Sequence, residues 1–377
     1  MLLVAMLALG SGPGGGPERA RAEDGSSAPV SASVSLDEFW SLSEYVARHP
    51  GEQERGERFA TRVATPPAPP GPAGGSVRIA LVYPVLQTSS SWRRTRSTIR
   101  QRLERLGVDV EIKAYLSHPG TELRTQAEQI AAAVETDPDY LVFTVESFRH
   151  RQVIERLISR KRPKVILDGL TTPVRTWGET QPFLYVGFND ARSSRLLVRN
   201  FLSNRPGPER YAIFYAGQNA MHRTQGELIR LALAGESEKV LAARYYVGSD
   251  RNRARRAAID LLSRDSEIGF IFSTSSEIAL GVDDAIAELG LTERVSTNGW
   301  GATPAELERL RKGRLDATLM PMSDETGIAI AEAIALDLAG RAEDVPQVFA
   351  AHSVLLDRTA TRKQIAALKR RAFRYSR

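Results

Sequence analysis

The residues best suited to binding a small ligand follow the first predicted strand, Val77 to Tyr83. Gln87, Ser89 and Trp92 come next, just before a predicted helix. In open α/β sheets, small ligands bind at the carboxyl ends of the strands. An amide, a hydroxyl and a flat indole face suit a small polyol better than a nucleotide phosphate. The same Ser-Ser-Ser-Trp run can instead cap the helix and staple it to the sheet, so both interpretations stay open at this point.

Polar or aromatic residues also follow the other predicted strands. They are Arg149-His150-Arg151, Asp168-Gly169, His222-Arg223, Ser275-Ser276-Glu277 and Trp300. Each has a purely structural interpretation as well: Ser276 would cap a helix, Arg149 would be a solvated charge, and Trp300 would anchor packing. Taken together they describe a cleft with two indoles and several hydrogen-bonding groups, which is the composition of a sugar-sized pocket.

Sequence motifs of catalysis are missing. There is no Gly-x-Ser-x-Gly elbow, no Walker-type phosphate loop and no Gly-x-Gly-x-x-Gly after the first strand. The chain has no cysteine, which excludes disulfides and thiol catalysis, and its 5 histidines form no HExxH pair. Because catalytic triads are spatial rather than sequential, this pattern only weighs against an enzyme. We therefore expect a binding protein with no catalytic residues, no metal and no cofactor.

Short apolar strands alternate with amphipathic helices along most of the chain. The predicted strands lie near 78–83, 108–114, 140–145, 164–167, 183–186, 211–215, 240–247, 268–272, 295–298 and 316–320. This alternation predicts an α/β fold with parallel sheets covered on both faces. A crossover signal at 187–190 favours two sheets over one wide sheet. We expect two Rossmann-like lobes joined by hinge strands around a cleft.

The N-terminal region differs from the rest. Residues 1–22 combine an apolar run with Ala20-Arg21-Ala22, a small-x-small cleavage pattern, and are interpreted as a signal peptide for export. Residues 23–76 should hold one short helix, near 37–47, and a stiff Pro/Gly-rich linker from 65 to 76. The first lobe is then 77–188 plus 301–340. The second is 189–300 plus 341–377, including a tail.

The charge pattern gives little support for a nucleic-acid partner. The formal net charge is +6 over 377 residues. The densest basic run lies on the helix after Trp92 and comprises Arg93, Arg94, Arg96, Arg100, Arg102 and Arg105. On that helix Trp92, Ile99, Leu103 and Leu106 form one apolar stripe, so we expect the arginines to form the solvated face. No nucleic-acid-binding motif accompanies them.

Several longer strings resemble the periplasmic autoinducer-2-binding proteins of the LuxP type, which are type I periplasmic binding proteins similar to the ribose-binding group. Gln87, Ser89 and Trp92 stand at the spacing seen in that family. The resemblance runs from Val77 to the C-terminus, through Arg149-His150-Arg151 and the segments 171–177, 181–188, 279–281, 298–301, 326–329 and 371–376.

This resemblance implies two lobes, three hinge strands and a cleft that closes on a furanose-like signal, bound as a cyclic borate diester and reported to a membrane sensor kinase. The ligand contacts that it implies are Gln87, Ser89, Trp92, Arg223, Ser276, Glu277 and Trp300. Two contacts are altered: Gly169 stands where the family has an asparagine, and Pro321 where it has an arginine that helps hold the borate. Because a buried anion needs paired charge, we expect a neutral ligand, such as the boron-free signal or a pentose.

Two other functions share the fold. A sugar-binding component of an ABC uptake system would differ only in its partner, an ABC permease. A ligand-binding regulator of the LacI type would need an N-terminal helix-turn-helix, and residues 1–76 give a leader, one helix and a linker instead. The sequence thus predicts a periplasmic receptor for autoinducer-2 or a related sugar in quorum-sensing signal transduction, with sugar uptake as the alternative.

Overall fold

The computed structural model describes residues 22–24, 38–69, 75–84, 91–117, 123–144, 151–160, 162–205, 209–217, 220–236 and 238–376. Except for Ala22, the predicted signal peptide lies outside these residues, as does the middle of the predicted linker, 70–74. Among the helices that fall within these ranges, none is both long and apolar enough to span a bilayer.

The described strands are β1 (Ala22–Asp24), β2 (Ser76–Pro84), β3 (Asp109–Ser117), β4 (Tyr140–Thr144), β5 (Lys164–Asp168), β6 (Leu184–Phe188), β7 (Glu209–Tyr215), β8 (Lys239–Tyr246), β9 (Ile268–Ser273), β10 (Ser296–Thr297), β11 (Ala317–Pro321), β12 (Val348–Ala351) and β13 (Ser353–Asp357). The described helices are α1 (Leu42–Arg48), α2 (Glu52–Ala64), α3 (Ser91–Arg105), α4 (Leu123–Glu135), α5 (Arg151–Ile158), α6 (Asp190–Asn204), α7 (Ala220–Leu233), α8 (Arg251–Arg264), α9 (Ser276–Glu288), α10 (Pro304–Arg311), α11 (Asp324–Leu338) and α12 (Arg362–Ala372).

Two parallel sheets form the framework, which confirms the predicted fold class. The first sheet has the order β12-β6-β5-β4-β2-β3 and is parallel throughout. The second has the order β1-β8-β7-β9-β10, in which only β1 is antiparallel. Strands such as β4 and β9 are apolar runs buried along nearly their whole length, as expected for sheets with helices on both faces.

Each sheet packs between two hydrophobic clusters. One side of the first sheet is covered by α3 and α11, through residues such as Ile99 and Ile334, and the other side by a cluster that includes Ile130 and Ile154. The second sheet lies between a cluster containing Leu261 of α8 and one containing the α6 residues Leu197, Val198 and Phe201. We call these two assemblies the first lobe and the second lobe.

The chain passes between the lobes at three strand ends. β6 belongs to the first sheet, but α6, which follows it, packs in the second lobe. β11 is followed by α11, whose residues from Ile328 to Leu336 lie in the core of the first lobe. β12 pairs with β6, whereas β13, two residues later, pairs with β11. All three passages leave from the carboxyl edges of strands, so these edges border the hinge.

The position of β11 contradicts the prediction that the whole of residues 301–340 returns to the first lobe. It pairs antiparallel with β13, and Thr318 forms a parallel bridge with Gly299, which follows β10 of the second sheet. Only α11 of this segment packs on the first sheet. Apolar periodicity indicates that a segment is a strand but not which strand it pairs with. The pairing of β11 with β13 therefore did not follow from the sequence.

Helix α2 is an addition to the predicted elements, because the sequence predicts only one helix, near 37–47, and a linker for residues 23–76. Phe59 and Val63 of α2 are buried in the first-lobe core, next to α11. The carboxylate of Glu52, itself 5% exposed, accepts the backbone N–H of Gln347 at 2.5 Å, just before β12. Because most residues of α2 are charged or polar, its sequence does not indicate that Phe59 and Val63 are buried.

Arg102 corrects the expectation that the arginines of α3 form a solvated face. Its side chain is fully buried, and its Nε donates to Glu332 at 2.6 Å. The other guanidinium nitrogens donate to the carbonyls of Arg62 and Thr65 and to the hydroxyl of Tyr375. A buried charge is stable only when paired and hydrogen-bonded, and here α2, α11 and the C-terminal residues provide the partners.

Candidate functional site

The carboxyl edge of the first sheet holds a buried carboxylate. Asp168 ends β5 and is 8% exposed, and its Oδ2 accepts the hydroxyl of Tyr83 at 2.6 Å. Burial raises the pKa of Asp168 to about 6, although hydrogen bonds from Tyr83 and Gly169 oppose the shift. This edge therefore carries a buried hydrogen-bond acceptor whose pKa lies above the usual range of an aspartate.

Gly169 follows Asp168 in a conformation that side chains rarely adopt. Its φ is +91°, and its N–H donates to the carbonyl of Val186 at 2.7 Å. A Cβ on Gly187 would lie 3.1 Å from the carbonyl carbon of Gly169, so the backbones of the β5 and β6 ends lie close together. A positive φ and tight backbone packing thus give a structural reason for glycine at position 169.

Trp92 lies in the first turn of α3, half-buried against the first-lobe core. The guanidinium of Arg93 stands 5.8 Å from the centre of its ring. Trp92 therefore packs against the core, as its structural interpretation predicts. Because the side chain is only half-buried, its exposed part is also accessible to a ligand. Gln87 and Ser89, predicted to act with it, lie outside the described residues, so the role of this group stays a prediction.

Two serines begin α9 on the edge of the second sheet. The side chain of Ser275 caps the helix by accepting the N–H of Ile278 at 3.3 Å. The structural interpretation of this segment predicts the cap one residue later, at Ser276. Ser276 is instead half-buried, and its hydroxyl acts to lower the pKa of the Glu306 carboxyl. Its neighbour Glu277 is exposed in the first turn of α9.

Glu306 also holds the loop that carries Trp300. The carboxylate is fully buried and accepts the backbone N–H groups of Trp300 at 2.8 Å and of Thr303 at 2.7 Å. Burial raises the pKa of Glu306, and the bonds from Thr303, Trp300 and Ser276 oppose this. Trp300 packs half-buried against the second-lobe core. One buried carboxylate thus brings together two predicted ligand contacts, Ser276 and Trp300.

The glycines around Trp300 allow this close approach. A Cβ on Gly301 would lie 2.3 Å from the hydroxyl of Ser276, and one on Gly299 would lie 2.6 Å from Glu306. Sequence reasoning missed Glu306, although a signal was present: Thr303-Pro304-Ala305-Glu306 is a capping box with proline at the first helical position. That pattern indicates where α10 begins, but not that its glutamate reaches the Trp300 loop.

Two further predicted positions lie elsewhere in the fold. Arg223 belongs to α7, which begins shortly after the carboxyl end of β7, and its side chain lies outside the described residues. Pro321 ends β11 at the hinge, paired with Ser353 of β13. Sequence reasoning also missed Asp190, at the start of α6, whose pKa burial raises to about 6 against a hydrogen bond from Gln225.

The described part of the cleft is suited to hydrogen bonding and stacking. Asp168 offers an acceptor on one lobe, while Ser276 and the Trp300 indole provide a hydroxyl and an apolar face on the other. Within the described ranges, no group of three or more histidines, aspartates and glutamates could hold a metal ion. A carboxylate, a hydroxyl and indoles together are the groups that bind the hydroxyls and apolar ring faces of a sugar.

Comparisons with known proteins agree with this architecture. The sequence model of a family described as periplasmic binding protein domain matches residues 79–342. A periplasmic ribose ABC transporter protein from Conexibacter woesei is 20% identical, with a TM-score of 0.67 over 80% of this chain and 99% of its own. An ABC transporter solute-binding protein from Actinobacillus succinogenes, solved with bound D-allose, is 16% identical, with a TM-score of 0.63 over 75% of this chain and 98% of its own.

A further similar structure is the fructose-binding periplasmic domain of a hybrid two-component system. It is 18% identical, with a TM-score of 0.64 over 78% of this chain and 95% of its own. At these identities the three structures establish the shared fold alone. The ligands named above are those of the three similar proteins.

Proposed function

Because the chain belongs to the periplasmic binding protein domain family, we propose that it binds a sugar outside the cytoplasm and delivers it to an ABC transporter. The observation that carries this proposal is the pair of carboxyl edges at the hinge. One presents Asp168, and the other presents Ser276 and Trp300 on a shared carboxylate. A sugar that contacts both edges stabilises the closed arrangement of the lobes by its additional contacts there.

The similar structures support sugar uptake more than signalling. Two of the three compared above are ABC transporter proteins, one for ribose and one solved with bound D-allose. The family description also supports a location outside the cytoplasm. On this proposal the partner is an ABC permease, and the chain has no catalytic role.

Autoinducer-2 binding with a sensor kinase partner is the second candidate. It is supported by the strings shared with the LuxP type and by the fructose-binding domain of a two-component system, which shows this fold in a sensory protein. Under this candidate, Gly169 and Pro321 favour a ligand without boron. Gln87, Ser89, Trp92, Arg223, Ser276, Glu277 and Trp300 are the proposed contacts in either case.

Calorimetry tests the binding proposal. The purified chain would be titrated with ribose, allose, fructose and autoinducer-2, the last with and without borate. Saturable binding of a sugar that Trp92→Ala and Trp300→Ala both weaken is expected. If no sugar binds, the proposal fails, and a borate-dependent gain in affinity would contradict the neutral-ligand hypothesis.

The partner requires a separate test in the cell. A strain lacking the gene would be assayed for uptake of the labelled ligand and for the transcriptional response to it. Loss of uptake is expected for a transport component. Normal uptake with a lost transcriptional response would instead assign the chain to a sensor.

A further inference from the structure

A surface pocket of about 320 Å³ opens between the first turn of α3 and the end of α12. It is lined by Arg94, Lys369, Arg370, Phe373 and Ser376. The guanidinium carbon of Arg94 lies 5.0 Å from the centre of the Phe373 ring, so this cation packs on an aromatic face. None of the lining residues belongs to the predicted ligand contacts, although Arg94 stands two residues after Trp92 in α3.

The described residues that line this pocket carry only positive charge. Arg94, Lys369 and Arg370 are cationic, and none of the described lining residues is acidic. The carboxylate of Asp324 contacts the lining residue Ser376: it accepts the N–H groups of Tyr375 and Ser376 and the Ser376 hydroxyl. Its hydrogen-bonding capacity is thus directed to the C-terminal backbone and the Ser376 hydroxyl.

The helix dipoles explain only part of this basic cluster. Lys369 and Arg370 stand in the last turn of α12, where cations complement the negative end of a helix. Arg94 stands in the first turn of α3, which has no acidic residue and where a helix end is itself positive. A cation there is unfavourable by itself, and a bound anion would offset it.

The pocket also joins the two lobes. α3 packs on the first-lobe core through Ile99 and Leu103. α12 packs through Ala372 on Met320 of β11 and Leu356 of β13, which belong to the second lobe. An anion held by Arg94 and Arg370 together would therefore contact both lobes near the hinge.

We propose that this pocket binds a small tetrahedral oxyanion, either free phosphate or the phosphate of a lipid headgroup. Guanidinium groups bind such oxygens in a bidentate manner, and a lysine adds a compact point charge. The proposal is independent of the sugar site, because none of these residues belongs to the predicted ligand contacts.

Calorimetry with inorganic phosphate at constant ionic strength tests the free anion. Saturable binding to the full chain is expected, and Arg370→Glu should weaken it at least about tenfold, because it removes a charge-assisted contact and adds repulsion. Lys363→Glu is the matched control, since it makes the same charge change on the same helix outside the lining. Arg94→Gln provides a second variant on the other lobe, and melting curves verify folding.

Sedimentation with vesicles tests the headgroup. Phosphatidylcholine also carries a phosphate, but its choline cation balances the charge. Binding to vesicles of phosphatidylcholine with phosphatidylglycerol, but not of phosphatidylcholine alone, would therefore identify an anionic lipid headgroup if Arg370→Glu abolishes it. Binding in either assay that depends on Arg370 and Arg94 supports the site. Absence of binding in both assays, or equal loss in Lys363→Glu, overturns it.

Discussion

The buried carboxylate of Glu306 accepts the backbone N–H of Trp300 at 2.8 Å. The hydroxyl of Ser276 acts on the same carboxyl by lowering its pKa, so a predicted ligand contact from α9 and another from the loop after β10 both involve one side chain. Ser276 and Trp300 should therefore behave as one unit in binding, and Glu306 is a positioning residue for both.

Replacing Glu306 with glutamine should weaken sugar binding about tenfold, because an amide keeps only one acceptor oxygen for several donors. Unfolding free energy should fall by about 1–3 kcal/mol as a buried N–H loses its partner. Calorimetry and urea unfolding measure the two effects. Glu308→Gln, an exposed glutamate on the same helix, serves as the control. Unchanged affinity in Glu306→Gln would remove the Trp300 loop from the binding site.

Asp168 should make both binding and stability depend on pH. Its pKa is raised from 3.8 to about 6 in the folded protein, so the folded state holds this proton more tightly than the unfolded state. The ionised form therefore lowers stability at neutral pH, and this loss disappears as the pH falls from about 6 to about 4. If the carboxylate accepts a sugar hydroxyl, affinity should fall over the same range.

The variant Asp168→Asn separates these two effects. At pH 7.5 it should be more stable than the parent, by roughly 1–3 kcal/mol, while near pH 4 the difference should vanish. Its sugar affinity should be low and independent of pH. Asp109→Asn, at an exposed aspartate, provides the control in unfolding and calorimetry. A variant that binds sugar as the parent does would show that Asp168 has only a structural role.

The ion pair of Arg102 and Glu332 should be important for stability. Both side chains are fully buried, and Arg62 is a second partner of Glu332. Arg102→Met leaves a buried carboxylate with less compensation and should cost about 3–5 kcal/mol, measured by urea unfolding. Glu332→Gln should be similarly destabilising, whereas Glu104→Gln, exposed on α3, should not be. A small effect of both buried variants would mean that water or Arg62 compensates for the loss.

The C-terminal residues should limit how far the lobes open. α12 packs in the second lobe, whereas Tyr375 is buried in the first-lobe core and its N–H donates to Asp324 at 2.6 Å. Asp324→Asn should loosen this link and increase the radius of gyration of the ligand-free protein in small-angle scattering, with little change once sugar is bound. Asp357→Asn, in a turn with Thr359, is the control. Equal radii for the variant and the parent would argue against a restraint.

Much of the fold could be predicted because its signals are local. Apolar runs such as Leu141-Val142-Phe143 form buried strands, and the alternation with helices gives parallel sheets. Gly107, with a φ of +79°, follows the end of α3, as is typical of a glycine that stops a helix. Asp168, Ser276 and Trp300 lie at or just after the ends of predicted strands. Strand direction alone therefore predicts that they lie at the carboxyl edges of the sheets.

The sequence by itself thus determined the fold class and the edges where ligand contacts should lie. Tertiary structure alone decided which elements meet: β11 with β13, α2 with α11, and Glu306 with Trp300. It also decided that Arg102 is buried, although it is one of six arginines on its helix. The physical reason is that periodicity records whether a side chain faces a core, whereas partners distant in the chain decide whether a charge can be buried there.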